Sequence, residues 1–219
     1  MDNLIIVTGL PRTGTSMMMK MLEAGGIAVI TDKQRQAYED NPNGYFELEQ
    51  VKEIKRDRSW LDASAGEAVK MVSMLLYDLP QDRDYILIFM KRNLDEVIVS
   101  QKVMLARKGE RPSAEDEEMK RLFSKHLSEI EAWLSERKNF RTFYINYDEV
   151  LKQPKETAEN IQKFLGRGLN IDNMIKSVDP SLYRQRSTDM SVVMQAKDAG
   201  LSDQDNEKIK EQLSSLGYM

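Results

Sequence analysis

Leu4-Ile5-Ile6-Val7-Thr8-Gly9-Leu10-Pro11-Arg12-Thr13-Gly14-Thr15-Ser16 changes character twice within a short stretch. The opening run, rich in β-branched residues, has no polar alternation and is ended by a glycine, the pattern of a strand buried on both faces. After Gly14 the apolar period shifts from two toward 3.6. Met17, Met18, Met21 and Leu22 share one helical face, and Gly25-Gly26 supplies the stop. A strand, a glycine turn and a helix form the opening unit of a parallel α/β sheet.

The same alternation continues along the chain. Tyr85 to Met90 is a second buried strand, while Ile27–Ile30 and Ala68–Val72 are weaker strand candidates. Asn93 with Glu96 spells a capping box for a helix carrying Leu94, Val97, Ile98, Met104 and Leu105. Ser113 and Asp116 open a longer helix with an apolar stripe from Met119 to Trp133. Thr142–Ile145 restores a strand, Pro154 starts a helix that Gly166 ends, and a polar amphipathic helix covers about 202–216. The expectation is an α/β fold in one domain over 1–219, with a central parallel sheet and helices on both faces. In such sheets ligands lie at the carboxyl ends of the strands, so the residues after Val7, Met90 and Ile145 should converge.

Composition narrows the chemistry. With 219 residues, 41% of them hydrophobic and 31% charged, the chain suits one buried core. A net charge of −4 argues against a dedicated nucleic-acid binder. The absence of cysteine removes thiolate chemistry and disulfides, and a single histidine, His126, cannot build a multi-His metal centre. His126 itself reads as a core or surface residue on the long helix. No apolar run reaches the ~20 residues of a membrane span, and a cytoplasmic location is the default expectation.

Gly9 and Gly14 have the spacing of a G-x-x-x-x-G-K-[ST] phosphate loop, but Thr15 stands where the lysine belongs and the cation has moved to Arg12. Backbone N–H groups and the helix dipole make such a loop an anion site. Thr13, Thr15 and Ser16 add three hydroxyls where capping needs one. The missing lysine weakens a small-molecule kinase, which uses it on its β/γ-phosphates, and leaves that reading as an alternative.

Pro11-Arg12-Thr13-Gly14-Thr15-Ser16 resembles the P-[KR]-[ST]-G-T-[TS] loop of sulfotransferases that use 3′-phosphoadenosine 5′-phosphosulfate (PAPS). A second segment, Arg92-Asn93-Leu94-Asp95-Glu96-Val97-Ile98-Val99-Ser100, resembles that family's 3′-phosphate element, an arginine followed eight residues later by a serine. A third, Tyr147-Asp148-Glu149-Val150-Leu151 with Pro154 and Phe164-Leu165-Gly166, is similar to its Y-E-D-L…P…F-L-G stretch. The resemblance implies that the loop holds the 5′-phosphosulfate with Arg12 at the transferring group. It implies too that Arg92 and Ser100 hold the 3′-phosphate, and that Tyr147 lies near the adenine. Adenosine 3′,5′-bisphosphate would be the product, with no metal taking part and a small molecule or glycan as acceptor.

The pattern also departs from the family. A lysine–threonine–histidine triplet of the cytosolic members is matched here by Lys70-Met71-Val72, which keeps the lysine and lacks the histidine base. A carboxylate from Asp32, Glu39, Asp40 or Glu47 is the expected replacement, with Asp32 and Glu47 foremost. Tyr38, Tyr45, Phe46 and Trp60 are candidate walls for the acceptor. The late basic glycine-rich loop of the family is missing, and Arg184 and Arg186 are its candidate substitutes. The absent histidine also admits a non-catalytic nucleotide-binding protein. Acceptor identity and oligomeric state leave no mark in the sequence.

Overall fold

The computed structural model describes residues 3–32, 46–62, 64–182 and 202–218. In chain order it contains β1 (Leu4–Gly9), α1 (Thr15–Ala24), two 3-10 turns (Glu49–Glu53 and Ser59–Leu61), β2 (Ala68–Lys70) and a 3-10 turn at Ser73–Asp78. There follow β3 (Tyr85–Lys91), α2 (Leu94–Lys108), α3 (Asp116–Ser135), β4 (Phe140–Asn146), α4 (Tyr147–Lys152), α5 (Pro154–Leu165), α6 (Ile171–Ser177), a 3-10 turn at Pro180–Leu182, and α7 (Asp203–Leu216). The strands form one parallel sheet in the order β2-β1-β3-β4. The expected α/β architecture is therefore present.

Alternation along the strands distributes the core. Leu4 and Ile6 of β1 and Tyr85, Leu87 and Phe89 of β3 point into one hydrophobic cluster, which includes Met104 and Leu105 of α2, Phe123 of α3 and Leu213 of α7. Ile5, Val7, Ile86, Ile88 and Met90 point the other way, onto Met18, Met21 and Leu22 of α1, Ile161 of α5 and Met174 of α6. Both faces of the sheet are thus covered by helices, and the continuous apolar runs of β1 and β3 follow from burial on two sides. Because β1 has β2 on one side and β3 on the other, the chain reverses its direction of travel there. The crevice at the carboxyl ends of β1 and β3 is the place such sheets offer to a ligand.

Several local expectations change. Ile27–Ile30 forms no strand; it contributes one parallel bridge, Val29 to Ala68, at the edge of β2. Asn93 caps α2 by accepting from the N–H groups of Asp95 and Glu96, but the Glu96 carboxylate turns to Arg92 and leaves the reciprocal half of the capping box unmade. Glu115, not Ser113, precedes α3, and Ser113 is drawn instead to α7, where its hydroxyl donates to Lys208 O. Asn146 with Glu149 and Ser202 with Asp205 make the complete capping boxes of α4 and α7.

His126 lies in the core, its Nε2 2.9 Å from Ser73 Oγ, and burial pushes its pKa down from 6.5 to about 4. The folded protein keeps the ring neutral while the unfolded chain takes up a proton. The contribution of His126 to stability should therefore fall as pH drops from about 6.5 to about 4 and change no further below that. Urea titrations across this range should show the decline, and His126→Gln should flatten it.

Candidate active site

The loop between β1 and α1 is shaped by two glycines for which no other residue serves. Gly9 has φ +145°, and a Cβ there would stand 2.5 Å from Met90 O and 2.7 Å from Thr13 Oγ1. Gly14 has φ +94°, and its Cβ would stand 2.4 Å from Cδ2 of Tyr147. The loop thus runs hard against the end of β3 on one side and against α4 on the other. Thr13 closes it internally, with both its N–H and its hydroxyl donating to Leu10 O. Those donors are committed to the turn, and Thr15 and Ser16 carry the other two hydroxyls at the helix start. The first N–H groups of α1 have no carbonyl one turn earlier to bond, and they add a partial positive charge there.

Arg12 sits at the centre of this arrangement in a left-handed backbone conformation, φ +75°. For a residue with a Cβ this costs on the order of 1–3 kcal/mol. Three side chains hold it. Ser100 accepts from Arg12 Nε at 3.0 Å, Arg92 Nη1 donates to Arg12 O at 3.0 Å, and Gln101 Nε2 donates to Pro11 O at 3.2 Å. The two carbonyls flanking the Arg12 amide plane and Cα are therefore both clamped, from the end of β3 and from α2. The loop and the Arg92–Ser100 segment, read from separate stretches of sequence, meet on one spot.

Arg92 is tied down in its turn. Its side chain is 8% exposed, Nε donates to Glu96 Oε2 at 2.9 Å, and the guanidinium lies 4.4 Å from the centre of the Tyr147 ring. Arg92 therefore forms an ion pair one helical turn along the chain. The pair is with Glu96 and it is buried, while Asp95 binds Lys120. Tyr147 is buried between Gly14 and Arg92, and burial raises its pKa, with Arg92 and Arg12 offsetting part of the shift. Its contacts here are those of a brace between loop and arginine.

A second cluster lies at the end of β2, next to β1 in the sheet. Lys70 is paired in register with Val7, its side chain is 4% exposed, and its Nζ is 3.2 Å from Oε1 of the equally buried Glu47. Glu47 is placed by its neighbours: Thr31 Oγ1 and Asp32 N–H both donate to Glu47 O, and Glu49 N–H donates to Asp32 Oδ2. Of the two foremost carboxylates, Asp32 therefore works as a local brace at the start of a 3-10 turn, and Glu47 is the one brought to Lys70. Phe46, just before Glu47, is with Arg12 one of the two non-glycine residues of positive φ among the described residues. Tyr218 completes the cluster, with Lys70 Nζ 5.4 Å from its ring centre.

Other expectations fare differently. Trp60 is buried in the larger core cluster. Glu39, Asp40, Tyr38, Tyr45, Arg184 and Arg186 lie outside the described residues. The sequence reading missed Gln101, Glu96 as a buried partner, and Tyr218. Glu96 was legible as one turn from Arg92, while Gln101 and Tyr218 carry no local signal.

Comparison with known proteins places these observations in context. A family model described as "Sulfotransferase domain" matches residues 2–213. No curated protein matches the sequence significantly. Among solved structures, the sulfotransferase domain from the curacin biosynthetic pathway aligns at 14% identity and TM-score 0.51, covering 100% of this chain and 99% of its own. A mouse sulfotransferase complexed with PAP aligns at 15% identity and TM-score 0.51, covering 99% and 84%. The sulfotransferase domain of the Synechococcus PCC 7002 olefin synthase aligns at 14% identity and TM-score 0.50, covering 97% and 94%. At these identities the structural matches speak for a shared fold.

The contact between Gly14 and Tyr147 is directly testable. Gly14→Ala should lower stability by about 2 kcal/mol or more, combining strain at positive φ with the ring overlap. In a Tyr147→Ala background the same substitution should cost less, and thermal melts of the four proteins would read the difference.

Proposed function

Since this chain belongs to the sulfotransferase family, we propose that it transfers a sulfuryl group from PAPS to a hydroxyl or amine of a small-molecule or glycan acceptor. The observation that carries this reading is the convergence of Arg12, Ser100 and Arg92 at the carboxyl ends of β1 and β3. It gathers two cations, a hydroxyl and the α1 N-terminus where a donor carrying charge at both ends would need them.

The residues present fit such a donor. Gly9 and Gly14, where a Cβ would strike Met90 O and the Tyr147 ring, let the loop pack closely enough against β3 and α4 to bring Arg12 beside Ser100 and Arg92. Arg12, the α1 N–H groups, Thr15 and Ser16 would hold the phosphosulfate end, and Arg92 with Ser100 the 3′-phosphate. The chemistry is a single in-line displacement: a bond forms from the acceptor atom to sulfur, and the bond from sulfur to the phosphate oxygen breaks. The departing electron pair stays on adenosine 3′,5′-bisphosphate. Arg12 and the loop amides neutralise the charge that gathers on that oxygen, where fixed donors act without reorganising. Glu47 takes the acceptor's proton, and Lys70 orients Glu47 and adds positive charge beside the transfer path. This assigns to a carboxylate the duty that histidine has in the cytosolic members. His126 is committed to Ser73 in the core.

Arg12→Ala should lower turnover by about 100-fold or more, the scale of losing one transition-state donor, while weakening adenosine 3′,5′-bisphosphate binding far less. Release of bisphosphate from PAPS, followed over a panel of phenols, alcohols and amino sugars, would measure the turnover. Activity should survive EDTA, because arginine and backbone amides carry the work that magnesium does in kinases. Calorimetry should show preference for adenosine 3′,5′-bisphosphate over ATP. Magnesium-dependent ATP hydrolysis would support the kinase alternative, and bisphosphate binding with no sulfated product from any acceptor would support a non-catalytic role.

A further inference from the structure

Behind the phosphate loop runs a buried line of amides that no part of the transfer chemistry uses. Gln101 of α2 is fully buried, and its Nε2 donates to Pro11 O. Its Oε1 accepts from Nε2 of Gln212 on α7 at 3.0 Å. Gln212, 2% exposed, accepts in turn at its Oε1 from Ser113 N at 3.0 Å and from Ser113 Oγ at 3.2 Å.

The two ends of this line determine its direction. Pro11 O can only accept and the Ser113 N–H can only donate, so both glutamine amides are oriented without ambiguity. Flipping either would set oxygen against oxygen, or N–H against N–H, in a buried place where an unpaired polar group costs most. The terminal acceptor is the carbonyl preceding Arg12. Its direction fixes the Pro11–Arg12 peptide plane and hence the left-handed φ at Arg12. Arg12 would otherwise relax toward an ordinary conformation, and its guanidinium would leave Ser100.

We infer that Gln101 and Gln212 are positioning residues, through which α7 holds the loop in the conformation that receives the phosphosulfate donor. Neither touches the donor; they act through the Pro11 carbonyl on Arg12. The inference rests on the donor-site reading above, and α7 becomes part of the active-site structure although its own surface faces other helices.

The test uses the full chain and adenosine 3′,5′-bisphosphate as probe. Gln101→Met and Gln212→Met keep the volume and remove the amides. Each should weaken bisphosphate binding by about tenfold, the scale of one buried hydrogen bond. The double variant should be no worse than Gln101→Met alone, because both act through one carbonyl. Gln212→Glu separates bonding from packing: ionised, its side chain has no donor for Gln101, and protonated it regains one. Its affinity relative to wild type should therefore recover as pH is lowered, which a packing role would not produce. Folded variants with unchanged affinity, or additive losses in the double variant, would overturn the inference. Should the wild-type protein bind no bisphosphate, the donor reading fails. Amide exchange then decides the relay by itself: faster exchange over 10–16 in Gln212→Met supports it, and unchanged exchange removes it.

Discussion

The parallel pairing of β1 with β3 sets Gly9 opposite Met90, and every feature of the site depends on how closely the chain passes there. A strand end that admits no Cβ brings the loop after β1 within reach of side chains rooted in β3 and α2. Arg92 leaves the end of β3 and finds Arg12 O; Ser100 and Gln101, side by side on α2, find the Arg12 guanidinium and Pro11 O. Without that register the same residues would be unconnected polar groups on separate elements.

Concentrating charge in this way has a thermodynamic cost that the rest of the fold must carry. Arg92–Glu96 and Lys70–Glu47 are ion pairs withdrawn from water, and such pairs contribute little net stability even when their geometry is good. Removing one partner is another matter, since it strands the other charge, typically at 3–5 kcal/mol. The left-handed residues Arg12 and Phe46 add local strain at the same two places. The stabilisation comes from the two apolar clusters on either face of the sheet, which also hold the strands in register. Strain and buried charge therefore gather where ligand chemistry is proposed, and the packing that offsets them lies behind.

What the sequence disclosed and what it withheld follow the same division. The buried runs of β1 and β3, the glycine turn and the helix after it were legible because local periodicity and local backbone demands write them directly. Arg92 and Ser100 were legible as a pair because an arginine followed eight residues later by a serine resembles the family's 3′-phosphate element. Ile27–Ile30 misled because a short β-branched run at a sheet edge gains too few partners to become a strand. Ser113 misled because its hydroxyl meets Lys208 and Gln212, nearly a hundred residues later, and that contact outweighs the cap. Glu47 was one of several carboxylates in a polar stretch until the fold set it beside Lys70. Gln101 and Gln212 were invisible, since nothing about a glutamine announces a partner 111 positions away.

That separation bears on how the molecule comes into being. Residues around the loop leave the ribosome before the side chains that brace them, and the strand and helix on either side of it can form early from nearby chain. The Pro11 carbonyl gains its direct partner 90 positions later and the backing for that partner another 111 after that. During synthesis the loop is therefore present long before the amides of α2 and α7 can lock it. On the proposed relay, the loop takes its working shape only when α7 docks.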